Sequence, residues 1–158
     1  MEAEPMRALS VRQPWAWAIC HGKDVENRSR GTRHRGLLAI HASKSAAYHE
    51  DLNDPRIVDL IEASGFDLSD PPSAQGAVVA MAELTGCHEP GFCFKARPGH
   101  GGEMCSPWAH ASQFHWPLAS VRPLAEPVPC RGALGLWRLP EDVEKAVRAQ
   151  LGEDGEHA

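Results

Sequence analysis

A lysine, a glutamate and an arginine stand close together near the N-terminus. Lys23, Glu26 and Arg28 follow Gly22 in the segment GKDVENR. A lysine that is desolvated in a cleft has a lowered pKa and can act as base or nucleophile, whereas a neighbouring carboxylate keeps it charged. We favour a charged lysine that clamps a polar ligand. The alternative is an ordinary salt-bridge set on a solvated strand.

Tryptophans could supply an aromatic surface for a flat polar ligand such as a nucleobase. Trp15 and Trp17 follow Pro14 in a predicted helix, where positions two apart diverge by about 200°. At most one ring therefore faces the core squarely, and the other can stack on a base, which contributes about 1–3 kcal/mol. Both rings could equally cover the core. Trp108 and Trp116 lie in or beside an irregular segment, which makes them better candidates for a binding cage.

Further polar residues could bind a phosphate or a base edge. The hydroxyl of Ser43 and the ammonium of Lys44 are suited to a phosphate. His41 could face the same ligand or be a hydrogen-bonded structural residue. Gln13 could read a base edge through its amide or cap the helix that follows it. The candidate ligand-binding set also includes Ser10, Pro14 and His115.

Cysteines and histidines are frequent between positions 87 and 115. The possible metal ligands are Cys87, His88, Cys93, His100, Cys105, His110 and His115. Structural zinc sites usually show two closely spaced pairs, and here Cys87 and Cys93 form a C-x5-C with no second tight pair. The sequence therefore predicts no metal and no cofactor. The five cysteines, an odd number, exclude a fully paired disulfide set within one chain and favour reduced thiols.

Composition indicates a single folded domain. The chain has 158 residues, with 42% hydrophobic and 23% charged residues. It contains no apolar run of about 18 residues, which predicts no membrane span, and its N-terminus lacks the pattern of a signal peptide. We therefore expect a cytoplasmic protein. A net charge of −5 argues against sequence-blind DNA binding, but residues 7–44 carry eight basic and two acidic side chains, which can focus a positive potential on one face.

The helices and strands that must position these residues are predicted from hydrophobic periodicity and from glycines and prolines that end such elements. We predict strands at 7–11, 36–42, 76–86, 114–124 and 130–139, and an extended segment at 23–30. Helices are predicted at 14–20, at 140–151 and over 45–64, where Pro55 interrupts the pattern and one or two helices end at Gly65. Residues 87–112 show no periodicity, and 152–158 read as a disordered tail. Helices and strands do not alternate regularly, so the fold class is α+β, a small β-barrel of about five to six strands with peripheral helices.

The segments ALSVRQPWAWAI, GKDVENR, RGLLAIHASK and GAVVAMAEL resemble the ASCH domain family, a branch of the PUA-like superfamily of small RNA-associated barrels. The resemblance covers residues 7–138, with the helix at 139–151 following it. It implies a cleft beside the first helix, lined by the Gly-Lys element. Members are associated with RNA, modified nucleosides or coactivator complexes. Some members are amidohydrolases that act on N4-acetylcytidine, and others resemble ribonucleases.

The amidohydrolase branch uses a lysine after the glycine, a threonine three residues on and a glutamate on a later strand. The resemblance implies that Lys23 matches the lysine and Glu83 the glutamate. Glu26 stands at the threonine position, which argues against deacetylation of acetylcytidine. Hydrolysis would then need Glu26 or Glu83 as the general base for water, a contribution of about 10²–10⁴-fold.

Three classes of function remain open on the sequence. The first is a monomeric binding module for RNA, single-stranded nucleic acid or a modified nucleoside. The second is a hydrolase, either a ribonuclease or an N4-acylcytidine amidohydrolase, in which Lys23 contacts Glu26 or Glu83. The third is a protein-interaction adaptor, which predicts an exposed apolar patch instead.

Overall fold

The computed structural model describes residues 5–44, 51–65, 74–96 and 104–152, with the backbone alone at 94–96. The strands in these ranges are β1 (Arg7–Val11), β2 (Val25–Arg28), β3 (Gly36–Ala42), β4 (Ala77–Leu84), β5 (Phe114–Pro129) and β6 (Leu136–Arg138). The helices are α1 (Trp15–Ile19), α2 (Pro55–Ser64), α3 (Pro90–Ala96) and α4 (Glu141–Gln150), with a 3-10 turn at Asp51–Asn53. Within the described ranges, none of the helices combines the length and apolar character that a bilayer crossing requires.

The strands form one sheet in the order β2-β5-β4-β3-β1-β6. β1 and β3 run parallel, and the other neighbours are antiparallel. The parallel pair is possible because α1 and β2 provide the long connection that parallel strands need. The sheet curls into a half-barrel, so the predicted α+β class with about five to six strands and peripheral helices is confirmed.

Apolar residues cover both faces of the sheet. On β1, Leu9 and Val11 belong to one core cluster and Ala8 to the other, as the two-residue alternation of a strand requires. On β3, Leu38 and Ala39 divide in the same way. α1 contributes to the first cluster and α4 to the second. The half-barrel is therefore held between two helices, and the cleft described below opens on the side of α1.

α2 packs against α1 and thereby brings its first turn to the cleft. Ile57 and Ile61 are fully buried in a cluster with Trp17. The helix begins with Asp54, whose carboxylate accepts a hydrogen bond from the backbone of Arg56 at 2.9 Å, and ends at Gly65 with a φ of +84°. The predicted end at Gly65 is confirmed. The earlier part of that prediction, 45–50, lies outside the described residues.

Two element predictions were wrong. β5 continues from Phe114 to Pro129, whereas the predicted strand ended at 124, and the strand predicted at 130–139 is reduced to Leu136–Arg138. β5 pairs with β2 over 114–117 and with β4 over 118–129 in a register with two shifts, so its prolines lie at an edge or at bulges. The second difference is α3, a short helix within the segment expected to be irregular. Residues 153–158 of the predicted tail lie outside the described residues.

Candidate functional site

A cleft of about 690 Å³ opens at the end of β1, between α1, β2, the start of α2 and the segment 108–113. Its volume falls in the range of about 300–1,000 Å³ that is usual for small-molecule sites. The sequence-predicted residues that line it are Ser10, Trp15, Lys23, Glu26, Arg28 and Trp108. These residues come from four separate parts of the chain, which the half-barrel and its two helices bring together.

A buried ion network forms the floor of the cleft. Lys23 and Glu26 are only 3% and 7% exposed. The Lys23 ammonium donates to Oε1 of Glu26 at 2.9 Å and to the backbone oxygen of Val25 at 2.6 Å. Arg28 donates from Nε to the other oxygen of Glu26 at 2.9 Å, and from Nη2 to the backbone oxygen of Ser10 at 2.7 Å. The network therefore ties β2 to β1.

The local chain geometry explains how Lys23 reaches Glu26. Glu26 and Arg28 are two residues apart on β2 and share one face of the strand. Lys23 precedes the strand, and its backbone N–H donates to the oxygen of Ala18 at the end of α1. Gly22 has a φ of +116°, a conformation that permits the tight turn between helix and strand. The turn places Lys23 and Glu26 on the same side.

Charge balance decides the protonation state of Glu26. Burial by itself would raise the pKa of its carboxyl group. The charges of Lys23 and Arg28, together with the hydrogen bonds that they donate, outweigh burial and hold the pKa of Glu26 below its usual value of 4.5. Glu26 is therefore an anion at neutral pH, and it forms ion pairs with the two cations beside it.

Two tryptophans and an arginine form the aromatic wall. The ring centroids of Trp15 and Trp108 lie 6.5 Å apart at an interplanar angle of 82°. The guanidinium carbon of Arg56 lies 5.9 Å from the Trp15 centroid and 5.0 Å from that of Trp108. Lys23 Nζ lies 5.8 Å from the Trp15 centroid. Trp17 is buried in the core, so α1 divides its two rings between core and cleft in the way that the helical spacing predicts.

Sequence reasoning missed two residues that shape this wall. Asn27 donates to the backbone oxygen of Trp108 at 2.9 Å and accepts from the backbone N–H of His110 at 2.8 Å. Arg56 donates to the oxygen of Pro107 at 2.9 Å and pairs with Asp54 at 2.7 Å. Asn27 could have been identified from the sequence, because it lies between the charged residues of β2. No feature of the neighbouring sequence indicates a role for Arg56.

Several predicted site residues lie elsewhere. Glu83 is exposed on β4 opposite Leu37 and Ala119, and it does not line the cleft, so its expected contact with Lys23 is absent. Since strand alternation turns the buried Ala82 and Leu84 inward, Glu83 must point outward. Lys44 is exposed at the end of β3 and, like the half-buried Ser43, lies outside the cleft.

Other predicted residues have structural roles. Gln13 is buried, and its side-chain amide accepts from the backbone N–H of Trp17 at 2.9 Å and donates to the backbone oxygen of Ala74 at 2.9 Å. Of the two roles considered for Gln13, the amide thus has that of capping α1. Pro14 is buried beside it. Trp116 is 4% exposed in the core, and its indole N–H donates to the oxygen of Arg30 at 3.0 Å, so it cannot stack on a ligand.

His41 is also structural. It is 1% exposed and donates from Nε2 to the backbone oxygen of Cys130 at 2.7 Å. Its Nδ1 lies 3.1 Å from the Ser10 hydroxyl, which also accepts from the indole N–H of Trp137 at 3.3 Å. The Ser10 hydroxyl is thus engaged by the core, and Ser10 serves the cleft through its backbone oxygen, which binds Arg28. His115 is fully buried outside the cleft, next to other possible metal ligands.

Comparison with known proteins identifies the fold. No protein-family model matches the chain, and no curated protein sequence matches it. ASCH from Zymomonas mobilis aligns with a TM-score of 0.53 and 14% identity over 92% of this chain and 94% of that chain. Two variants of the Zymomonas protein give TM-scores of 0.52 and 0.53 at 14% and 13% identity, over 92% of this chain and 98% of theirs. At this identity the similarity shows the fold alone.

Proposed function

The chain has an ASCH fold, and on that premise we propose that its cleft binds single-stranded RNA, with one base against Trp15 and Trp108 and the adjoining phosphate beside the cationic side chains. The observation that carries the proposal is the combination of two half-buried tryptophans with a buried Lys23–Glu26–Arg28 network in one cleft. Aromatic stacking and cations that contact the backbone are the two components of single-strand recognition.

The ring geometry suits one base. Because the two indole planes are nearly perpendicular, a flat ligand that stacks on one ring meets the edge of the other. Half-exposed tryptophans retain ring surface for such a contact, since neither is covered by the core clusters completely. The amide of Asn27 and the backbone of 108–110 set the position of the Trp108 ring. One nucleobase is therefore the ligand that this wall accommodates.

The charge of the cleft suits few phosphates. Among the described residues that line the cleft, Glu26 is the anion. Four of the lining side chains are cationic, namely Arg12, Lys23, Arg28 and Arg56. Asp51 and Asp54 pair with Arg12 and Arg56 at 3.7 and 2.7 Å. The cleft is thus only slightly positive, which fits one or two phosphates. The exposed Arg30 and Arg33 follow β2 and extend the positive surface toward a longer strand.

The geometry supports binding more than hydrolysis. Glu26 holds two cations and has a lowered pKa, which makes it a weak general base. Lys23 is held by that same carboxylate, so its ammonium acts as a charge rather than a nucleophile. Glu83, the other predicted acid, does not line the cleft. Of the two predicted bases only Glu26 lines the cleft, so ribonuclease or N4-acylcytidine amidohydrolase activity would have to use Glu26 despite its lowered pKa.

An adaptor role has less support. The exposed large hydrophobic residues in the described ranges lie in three different parts of the chain: Leu37 on β3, Phe92 on α3 and Leu134 in the loop before β6. A docking surface for a protein needs a contiguous apolar patch. We propose that the binding module is a monomer. We also propose a cytoplasmic location, because all five cysteines are unpaired and free thiols are typical of a reducing compartment.

The test is a titration of the full-length protein with a mixed-sequence single-stranded RNA, followed by fluorescence anisotropy. We expect Trp15→Ala and Trp108→Ala to weaken binding by about 5- to 150-fold, the equivalent of about 1–3 kcal/mol per stacked base. Phe92→Ala is the matched control, since Phe92 is exposed on α3 outside the cleft. Wild-type affinity in both tryptophan variants would falsify the proposal.

Salt dependence and substrate analysis separate the alternatives. Each phosphate contact contributes about −0.7 to the slope of log K against log salt for single strands, so Arg12→Ala should flatten the slope by about that amount. Lys145→Ala on the exposed side of α4 removes an equal charge away from the cleft and should leave the slope unchanged. If the protein instead cleaves the RNA or deacylates N4-acetylcytidine, and Glu26→Gln abolishes the turnover, the hydrolase alternative replaces the binding module.

A further inference from the structure

Two histidines and two cysteines meet in a cluster outside the cleft. His88, Cys93, Cys105 and His115 each direct one ligand atom to a common point, and these four atoms lie within 4.8 Å of one another. Cys93 and His115 are buried at 2% and 0% exposure, and the other two are half-buried. The cluster combines α3, the start of β5 and the segments beside them.

Two of the distances between ligand atoms lie close to those of tetrahedral coordination. Nδ1 of His115 lies 3.1 Å from Nε2 of His88 and 3.7 Å from Sγ of Cys105. With metal bonds of about 2.0–2.1 Å to nitrogen and about 2.3 Å to sulfur, neighbouring ligand atoms of a tetrahedral zinc ion lie about 3.3–3.8 Å apart. These two distances differ from the tetrahedral values by about 0.2 Å, whereas the most widely separated atoms of the cluster, up to 4.8 Å apart, would have to approach by about 1 Å when an ion binds.

The surrounding hydrogen bonds orient the ligand atoms. His115 donates from Nε2 to the backbone oxygen of His110 at 2.7 Å, which leaves the lone pair of its Nδ1 directed at the cluster. Reciprocal backbone hydrogen bonds of 3.1 and 2.9 Å hold His88 opposite His115. The backbone N–H of Cys105 donates to Sγ of Cys93 at 3.0 Å, a bond that stabilises a thiolate.

We propose that His88, Cys93, Cys105 and His115 bind one zinc ion in a closed, structural site. Two thiolates and two neutral imidazoles around Zn²⁺ give a neutral unit, which suits the burial of the cluster. Binding transfers the thiol protons of Cys93 and Cys105 to solvent, so two protons are released for each ion bound when both thiols start protonated. Four protein ligands leave no open coordination position, which distinguishes a structural site from a catalytic one.

The position of the site indicates what the metal does. The His110 oxygen that fixes His115 belongs to the segment that Asn27 holds at the wall of the cleft. Zinc would therefore join α3 and β5 to that segment. The zinc proposal is independent of the proposed RNA binding. The spacing along the sequence did not indicate this cluster, because the bridge between His88 and His115 brings together side chains that are 27 residues apart.

Metal analysis of the untagged, full-length protein tests the site. We expect one zinc ion per chain after growth with added zinc, and, after chelation and addition of Co²⁺ alone, the visible absorption of tetrahedral cobalt with a thiolate charge-transfer band. His88→Asn and Cys105→Ser each remove a zinc ligand. They should weaken zinc binding by more than about 10–100-fold, because that loss of affinity already results from mutating residues that only hydrogen-bond to the ligands. Cys87→Ser and Cys130→Ser, which alter cysteines outside the cluster, should retain the metal.

Three results would overturn the proposal. They are a zinc content near zero with no cobalt spectrum, a Cys93–Cys105 disulfide in protein purified under reducing conditions, and an equal loss of metal in Cys87→Ser. Because a ligand variant could fail to fold, a chelator titration of the wild-type protein gives the stoichiometry independently. RNA binding measured on the same preparations separates a failed metal site from a failed cleft.

Discussion

The side-chain amide of Asn27 holds the backbone on both sides of Ala109. It donates to the oxygen of Trp108 at 2.9 Å and accepts from the N–H of His110 at 2.8 Å. A strand residue thereby fixes an irregular segment that carries half of the aromatic wall. The position of the Trp108 ring depends on this pair of hydrogen bonds as well as on its contacts with Trp15 and Arg56.

Asn27→Ala should weaken RNA binding while leaving the fold intact. The change removes two hydrogen bonds, with an expected loss of about 1–3 kcal/mol in the free energy of unfolding. Binding should fall because Trp108 is no longer held against Trp15. Urea unfolding and RNA titration measure the two effects, and Asn53→Ala in the exposed turn before α2 is the control. An Asn27→Ala protein with undiminished affinity would show that the segment holds its position without this clamp.

Lys23 and Glu26 should show strong energetic coupling. Lys23→Met leaves Glu26 with Arg28 as its remaining partner, and Glu26→Leu leaves a buried ammonium without a counter-ion. Removing one member of a buried pair costs about 3–5 kcal/mol, whereas replacing both with apolar residues is often close to neutral. The double variant should therefore lose less free energy of unfolding than the two single variants lose together. Additive losses in urea unfolding would contradict the buried pair.

Acid should remove the stabilisation that Glu26 provides. Its pKa is lower in the folded protein than its usual value of 4.5, so the ionised carboxylate stabilises the fold above that pH. This contribution is lost as the pH falls through the folded-state pKa. The difference in unfolding free energy between wild type and Glu26→Gln should shrink from neutral pH toward about pH 3. Glu83→Gln, which changes an exposed carboxylate, serves as the control, and a constant difference would refute the assignment.

Gly132→Ala should destabilise the protein by about 1–3 kcal/mol. A Cβ atom at this position would lie 2.6 Å from Cε1 of His41 and 2.8 Å from the Ser10 hydroxyl oxygen. Both neighbours are held by hydrogen bonds, so neither can move without loss. Gly91→Ala in α3, where a Cβ meets nothing within 4 Å, is the matched control. Thermal unfolding compares them, and equal melting temperatures would show that the 130–135 loop adjusts freely.

Strand and helix positions were largely predictable because they depend on local patterns. Alternating or continuous apolar residues located β1, β3 and β4, and Gly65 located the end of α2. β5 was divided wrongly because prolines usually interrupt strands. Its partner changes from β2 to β4 along its length, which leaves edges and bulges where prolines are tolerated.

The sequence by itself determined the α+β class, the segment that contains Lys23, Glu26 and Arg28, and the divergence of the two tryptophan rings on α1. These features follow from short-range periodicity and from turns such as the one at Gly22. Only the tertiary structure brought Arg56 and Trp108 to that segment, moved Glu83 away from it and gathered the ligands of the proposed zinc site. Contacts between residues far apart in the chain depend on strand pairing and helix packing, which local sequence patterns do not encode.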